Sequence, residues 1–191
     1  MSDNFKNIFK NYSNLTESDL AFCKSYFELL SLSKNSIAEE ENKIPRHLYF
    51  INEGYARLFY LDKSGNEVTT LIGSPNKFIT SFLDFINQKK STQNLACITD
   101  CEFYRIERSK LVALIEKNEN FRNFSLIIFE QAITTTNIRA NDLATLSAEL
   151  RYKKLLEEQP EIIQNVPVQH IASYLGIKPQ SLSRIRKQMI K

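Results

Sequence analysis

The apolar positions of this chain change period twice along its length. In LTESDLAFCKSYFELLSLS, residues 15–33, Leu20, Phe22, Cys23, Phe27 and Leu30 can share one helical face. Thr16 and Asp19 stand at the spacing of a capping box, so the segment predicts a short helical lead-in. From 34 to 111 the period shortens. In YFINEGYARLFYLDKSGNEVTTLIG, residues 49–73, apolar runs are broken by Asn52-Glu53-Gly54 and by the stretch Asp62 to Asn66. Both breaks read as hairpin turns. Arg57, Phe59 and Leu61 alternate with Leu58 and Tyr60, which predicts one face in a core and one partly wet. Further strands are expected at Lys77–Phe82, Thr92–Ile98 and Glu102–Ile106. Many short strands joined by tight turns indicate a sandwich or roll rather than a parallel sheet.

From Leu111 the pattern turns helical. Leu111, Leu114 and Ile115 open it, and Phe121, Phe124, Ile127, Ile128, Gln131, Ile138, Leu143, Leu146 and Leu150 continue it. Glycine and proline are absent from Leu111 to Gln159, a span too long for one ordinary helix. The expectation is a short helix, a long one, and a break near Ala144–Ser147, with Ser147 opening a new helix. An apolar stripe on an extended helix fits a twin helix across a two-fold axis. The alternative for its N-terminal half is a helix lying on its own sheet. Pro160 is expected to end this helical region.

The last segment, VPVQHIASYLGIKPQSLSRIRKQMIK, carries the most specific pattern. Ile171, Ala172 and Leu175 lie on one helical face. Gly176 is expected to end that helix in the left-handed conformation. Ile177 plugs the angle between two helices, and Pro179 suits the first turn of the second. Leu182, Ile185 and Met189 give the next apolar stripe. Helix, turn with glycine, helix is a helix-turn-helix. Ala172 is small where the helices approach, while Gln180, Ser181, Arg184 and Lys187 face outward. Such a helix enters the major groove of DNA. Gln180 suits adenine and Arg184 suits guanine, with Ser181 beside them as base-reading candidates. Lys178, Ser183, Arg186 and Lys187 suit phosphates. The alternative is a hairpin whose basic face is only solvated. His170, early in the first helix, reads as a surface or flanking residue, with a phosphate contact as the other possibility.

Charge supports a polyanion at this end. The 191 residues carry a net charge of +3. The last acid is Glu161, and the thirty residues after it hold a local charge of +5. The body before them is near neutral, with 20 basic and 22 acidic groups. Hydrophobic residues at 42% and charged residues at 25% are ordinary for a globular chain. No apolar run is long enough to span a membrane, and the N-terminus lacks a signal-peptide core, so a cytoplasmic protein is expected. Cys23, Cys97 and Cys101 read as reduced thiols, since their number and spacing make no disulfide framework. The two histidines, His47 and His170, supply no metal cluster and no acid–base pair. No enzyme, metal or cofactor is expected. A cupin-type metalloenzyme, the one enzyme a β-roll suggests, would need clustered ligands that are absent here.

Three stretches carry a family resemblance: LYFINEGYARLFYLDKSGNEVTTLIGSPNKFI at Leu48–Ile79, LSAELRYKKLLEEQPEI at Leu146–Ile162 and VQHIASYLGIKPQSLSRIRK at Val168–Lys187. The chain resembles the bacterial Crp/Fnr regulators, grouped around the cyclic AMP receptor protein and the fumarate-nitrate reductase regulator. The resemblance implies an α+β chain: a β-roll (double-stranded β-helix or jelly roll) over 1–118, a long dimerisation helix over 119–145, and a helix-turn-helix, winged in many members, over 146–191. It implies a homodimer that binds double-stranded DNA and contacts RNA polymerase. Few residues follow the recognition helix in this sequence, so a truncated or absent wing is expected.

The effector pocket departs from the nucleotide-binding members. They carry Gly-Glu and Arg-Ser or Arg-Thr pairs, where this sequence has Thr80-Ser81 and Ser91-Thr92. A buried phosphate needs compensating donors, so cyclic-nucleotide binding is not expected. Thr134 and Thr135 stand near the long-helix step that touches the base in those members. These six residues are the pocket candidates for an unknown small-molecule effector, if there is one. The iron–sulfur branch of the family needs an N-terminal cysteine group, and only Cys23 lies there. The leading expectation is a DNA-binding regulator. The alternative is an effector-binding or scaffold protein with a vestigial DNA-binding end.

Overall fold

A computed structural model of the chain describes Phe5 and residues 16–189. The lead-in helix α1 (Glu17–Lys24) starts at a complete capping box: Thr16 accepts from the Asp19 amide and the Asp19 carboxylate accepts from the Thr16 amide. The helix is shorter than its apolar spacing suggests. Residues 28–32 form a strand, β1 (Glu28–Leu32), because they find a partner strand far along the chain.

The strands β2 (Ile37–Glu39), β3 (His47–Glu53), β4 (Ala56–Leu61), β5 (Glu67–Gly73), β6 (Phe78–Ile79), β7 (Asn94–Cys97) and β8 (Cys101–Glu107) complete two antiparallel four-stranded sheets. Their orders are β1-β8-β3-β6 and β2-β7-β4-β5. Tyr49, Ile51, Leu58, Leu95 and Phe103 close the core of the roll. The Asp62–Asn66 break is a hairpin, with Leu61 opposite Glu67. The Asn52–Gly54 break is not. It carries the chain from one sheet to the other, since β3 and β4 belong to different sheets. Gly54 makes this crossing with φ +86°, and a Cβ there would sit 2.2 Å from the Asp100 carbonyl oxygen.

Two further expectations shift. Strict alternation fails in β4, where Ala56 to Phe59 are all buried and Tyr60 and Leu61 exposed. A bulge between Leu58 and Phe59 breaks the register, and Arg57 folds back over the Phe59 ring. The strand expected over Lys77–Phe82 shrinks to two residues, because Phe82 opens a short helix, α2 (Phe82–Asn87).

Helix α3 (Arg108–Lys117) leads to the 27-residue α4 (Glu119–Thr145). The N-terminal half of α4 lies on its own roll, where Phe121, Phe124 and Ile128 pack with Phe50, Tyr104, Ile106 and Leu114. Beyond Phe129 its large apolar residues face solvent: Ile133 is 52% and Ile138 46% exposed. The helix stops at Thr145, and the Ser147 hydroxyl caps α5 (Ala148–Glu158) by accepting from the Leu150 amide. Pro160 does not end the helical region. It occupies the first turn of α6 (Pro160–Asn165), where a missing N–H costs nothing. Then come α7 (Val168–Tyr174) and α8 (Pro179–Met189). A third core joins the roll residues Tyr55, Ile72 and Ile98 to Tyr152, Leu155, Ile171, Leu175 and Leu182 of these helices.

The crossing at Gly54 gives a stability prediction. Gly54→Ala is expected to destabilise the chain by at least about 1–3 kcal/mol in urea titration, from overpacking plus the positive φ. A change under a few tenths of a kcal/mol would show that the backbone moves aside freely.

Candidate nucleic-acid interface

The turn between α7 and α8 is built by hydrogen bonds that end one helix and aim the next. The Ile177 amide donates to the Ala172 carbonyl and the Gly176 amide to the Ser173 carbonyl, both at 3.0 Å. This is a Schellman motif, and it needs the left-handed backbone of Gly176, φ +69°. A Cβ on Gly176 would meet the Leu143 side chain at 3.1 Å, so the turn also sits tightly against α4. Ala172 is fully buried where the helices meet, and Leu182 and Ile185 anchor α8 from beneath.

The opposite face of α8 is free. Lys178, Gln180, Ser183, Arg184 and Lys187 are exposed, while Ser181 and Arg186 are half-buried. The Ser183 hydroxyl donates back to the Pro179 carbonyl at 3.1 Å and keeps its lone pairs for an incoming donor. Arg186 and Lys187 lie in the last turn, where cations complement the helix dipole. The seven sequence-predicted residues therefore share one helix and the turn before it.

What holds this helix pair was not visible in the sequence. Strand β5 is the edge of its sheet, and α7 closes that edge. The Thr69 amide donates to the Ser173 hydroxyl at 2.8 Å, and that hydroxyl donates to the Glu67 carbonyl at 3.1 Å. From α4, Arg139 donates to the Thr69 carbonyl at 3.1 Å and to the Tyr174 carbonyl at 3.0 Å. Arg151 donates to the Leu175 carbonyl at 3.0 Å and also to that of Leu146. Both arginines thus cap the carbonyl end of α7. No periodic pattern marks such residues, since their partners are backbone atoms. His170 is half-buried beside Arg57 and Glu67, and burial followed by the Arg57 charge pulls its pKa down to about 4.

The effector candidates do not converge. Thr80 and Ser91 are buried in the roll at 1% and 2% exposure, and Ser81 at 8%. The Ser81 hydroxyl donates to the Asp84 carboxylate at 2.7 Å, and the Ser91 hydroxyl is used within its own turn by Gln93. Thr80 Oγ1 has no hydrogen-bond partner among the described residues. Thr92 is exposed and lines an open cleft with Glu41, Tyr60, Thr70 and Gln93. Thr134 and Thr135 are exposed on α4, and Thr135 borders a different cavity, near α5 and α7. Arg57, a buried cation of the roll, is bonded to Glu67 and Thr69 instead. The three thiols are free and buried, and burial pushes Cys23 up to about 12. Cys97 ends β7 and Cys101 begins β8, so the two lie in different sheets.

Residues 29–118 match the family model of the cyclic nucleotide-binding domain. Over nearly the whole chain the structure is similar to solved regulators. FixK2 from Bradyrhizobium japonicum superposes with a TM-score of 0.75 at 15% identity, covering 85% of this chain and 84% of that one. The c-di-GMP responsive global regulator CLP of Xanthomonas campestris gives 0.70 at 16%, covering 91% of each chain. A regulator of the Crp/Fnr family from Eubacterium rectale gives 0.69 at 14%, covering 95% of this chain and 87% of that one. The architecture is similar to that of these solved regulators. No curated protein sequence matches the chain significantly. Among the described residues, no group of three or more His, Cys, Asp or Glu could hold a metal ion, and no helix is long and apolar enough to cross a membrane. Thr80, Ser81 and Ser91 place three buried hydroxyls in the roll, and Thr92 one at its surface.

The depressed His170 gives a pH prediction. Its folded pKa lies below the unfolded value, so the neutral ring supports the fold fully above about 6.5. That support is lost as pH falls toward about 4, because the unfolded chain takes up the proton first. His170→Gln is expected to flatten the slope of stability against pH between these values, read by urea midpoints across the range. An unchanged slope would remove His170 from the α7–β5 contact.

Proposed function

We propose that the chain is a dimeric, sequence-specific DNA-binding transcription regulator. The observation that carries this reading is α8. Its Leu182 and Ile185 are buried beneath, while Gln180 and Arg184 stand exposed on the opposite side, beyond a glycine turn. Gln180, Ser181 and Arg184 read base edges, and Lys178, Ser183, Arg186 and Lys187 hold phosphates. The functional units are 1–118, a sensor-like roll; 119–145, the dimerisation helix; and 146–191, the DNA-binding end. The exposed Ile133, Ile138 and Leu143 on α4 supply the apolar stripe for a second copy across a two-fold axis. Two copies then present two recognition helices to a roughly palindromic site, with RNA polymerase as a further partner in the cytoplasm.

The roll senses an effector other than a cyclic nucleotide, or none. A cyclic phosphate buried at Thr80, Ser81 and Ser91 would meet hydroxyls and no guanidinium, too little to offset its desolvation. An effector, where one acts, shifts the population of the DNA-competent arrangement through α4.

Selection of binding sites from a random duplex library tests the reading. A regulator enriches a palindrome, and its binding falls steeply with salt. A flat salt response with no enriched site would leave the scaffold reading. On the selected site Arg184→Ala is expected to lose about 1–3 kcal/mol, with little loss on mixed duplexes. Lys187→Ala weakens both alike and lowers the salt slope by about one charge. Equal loss on both duplexes for Arg184→Ala would remove its base contact. Ile138→Glu is expected to shift sedimentation from dimer to monomer, and a persistent dimer would place the interface elsewhere.

A further inference from the structure

Where α4, α5 and α7 meet, three cations and two acids line one cavity. Arg139 and Arg151 are half-buried and form no ion pair among the described residues. Each spends N–H groups on backbone carbonyls, and the Nε–H of Arg139 is buried with no acceptor among the described residues. An unsatisfied buried donor on a charged group is costly and is uncommon in folded proteins. Both side chains border a cavity of about 150 Å³, together with Lys154, Thr135 and Tyr174. Asp142 also borders it, but its carboxylate is held by Lys154 at 2.7 Å. Glu158 stands exposed at the same cavity.

The balance of costs points outward. Bonds to neutral carbonyls satisfy some of the guanidinium N–H groups but leave the positive charge itself uncompensated in a half-buried place. Arg139 and Arg151 also repel one another across the junction. An anion between them would relieve both costs. The cavity is smaller than the roughly 300–1,000 Å³ of drug-sized sites. A single tetrahedral oxyanion fits such a space, and a nucleotide does not.

We propose that this junction is a binding site for a phosphate group, inorganic or on a small phosphomonoester, held by Arg139 and Arg151 with Lys154 at its side. The ligand bridges α4 to α5 across the break at Leu146 and Ser147. It is separate from the roll pocket, and its binding needs no DNA.

Isothermal titration of the full chain with inorganic phosphate tests the site, at fixed ionic strength set by potassium chloride. Saturable binding of one phosphate per chain is expected, with Kd on the order of 1 mM. Sulfate competes and chloride does not. Glycerol 3-phosphate in a parallel titration separates the sources: tighter binding than phosphate assigns a phosphomonoester, and weaker binding assigns the free ion. Lys154→Gln is expected to weaken binding by about tenfold, since it removes one charge and frees Asp142 to repel the anion. Glu158→Lys, at an exposed position, is expected to tighten it several-fold. Circular dichroism verifies that both variants fold. Absence of saturable heat, or equal affinity in both variants and the parent chain, would overturn the proposal.

Discussion

Arg139 of the long helix bonds at once to a carbonyl of strand β5 and to a carbonyl at the end of α7. With the Ser173 hydroxyl paired to both the amide of Thr69 and the carbonyl of Glu67, it joins roll, long helix and C-terminal helices at one point. An edge strand has unpaired amides and carbonyls that must be satisfied. Here a helix satisfies them, through a side chain and a neighbouring guanidinium. The position of α8 follows from this, because α7 is fixed to the edge and the Gly176 turn fixes α8 to α7.

The long helix serves two environments. Its first half buries Phe121, Phe124 and Ile128 against the roll, and its second half leaves Ile133 and Ile138 in water. The transition falls around the three threonines at 134–136, which the Thr136 hydroxyl joins to the helix by bonding back to the Ala132 carbonyl. A helix stabilised along half its length by packing can carry an unpaired apolar stripe along the other half. That stripe, the capped break at Leu146 and Ser147, and the cationic junction beside it lie in sequence along the route from roll to α8.

The roll has the shape of a cyclic nucleotide-binding domain, and several of its polar side chains are paired within the roll. Ser81 is tied to Asp84, Ser91 to Gln93, and the buried Arg57 to Glu67 and Thr69. These partners are internal, so the hydroxyls stabilise turns and strand contacts. The shape rests on the apolar core around Tyr49, Ile51 and Phe103.

The helix-turn-helix was legible residue by residue. Gly176, Pro179, Ala172, Leu182 and Ile185 each take the place their chemistry demands, since caps, small contacts and buried stripes are local properties. The capping box at Thr16 and the cap at Ser147 were legible for the same reason. Strand β1, the sheet-to-sheet crossing at Gly54 and the helix begun by Pro160 were not, because each depends on a partner distant in sequence or on which neighbour is nearest in space. The staple made by Arg139, Arg151 and Ser173 was hidden further still. Its acceptors are backbone carbonyls, which every residue carries, so only the folded chain decides which of them a guanidinium meets.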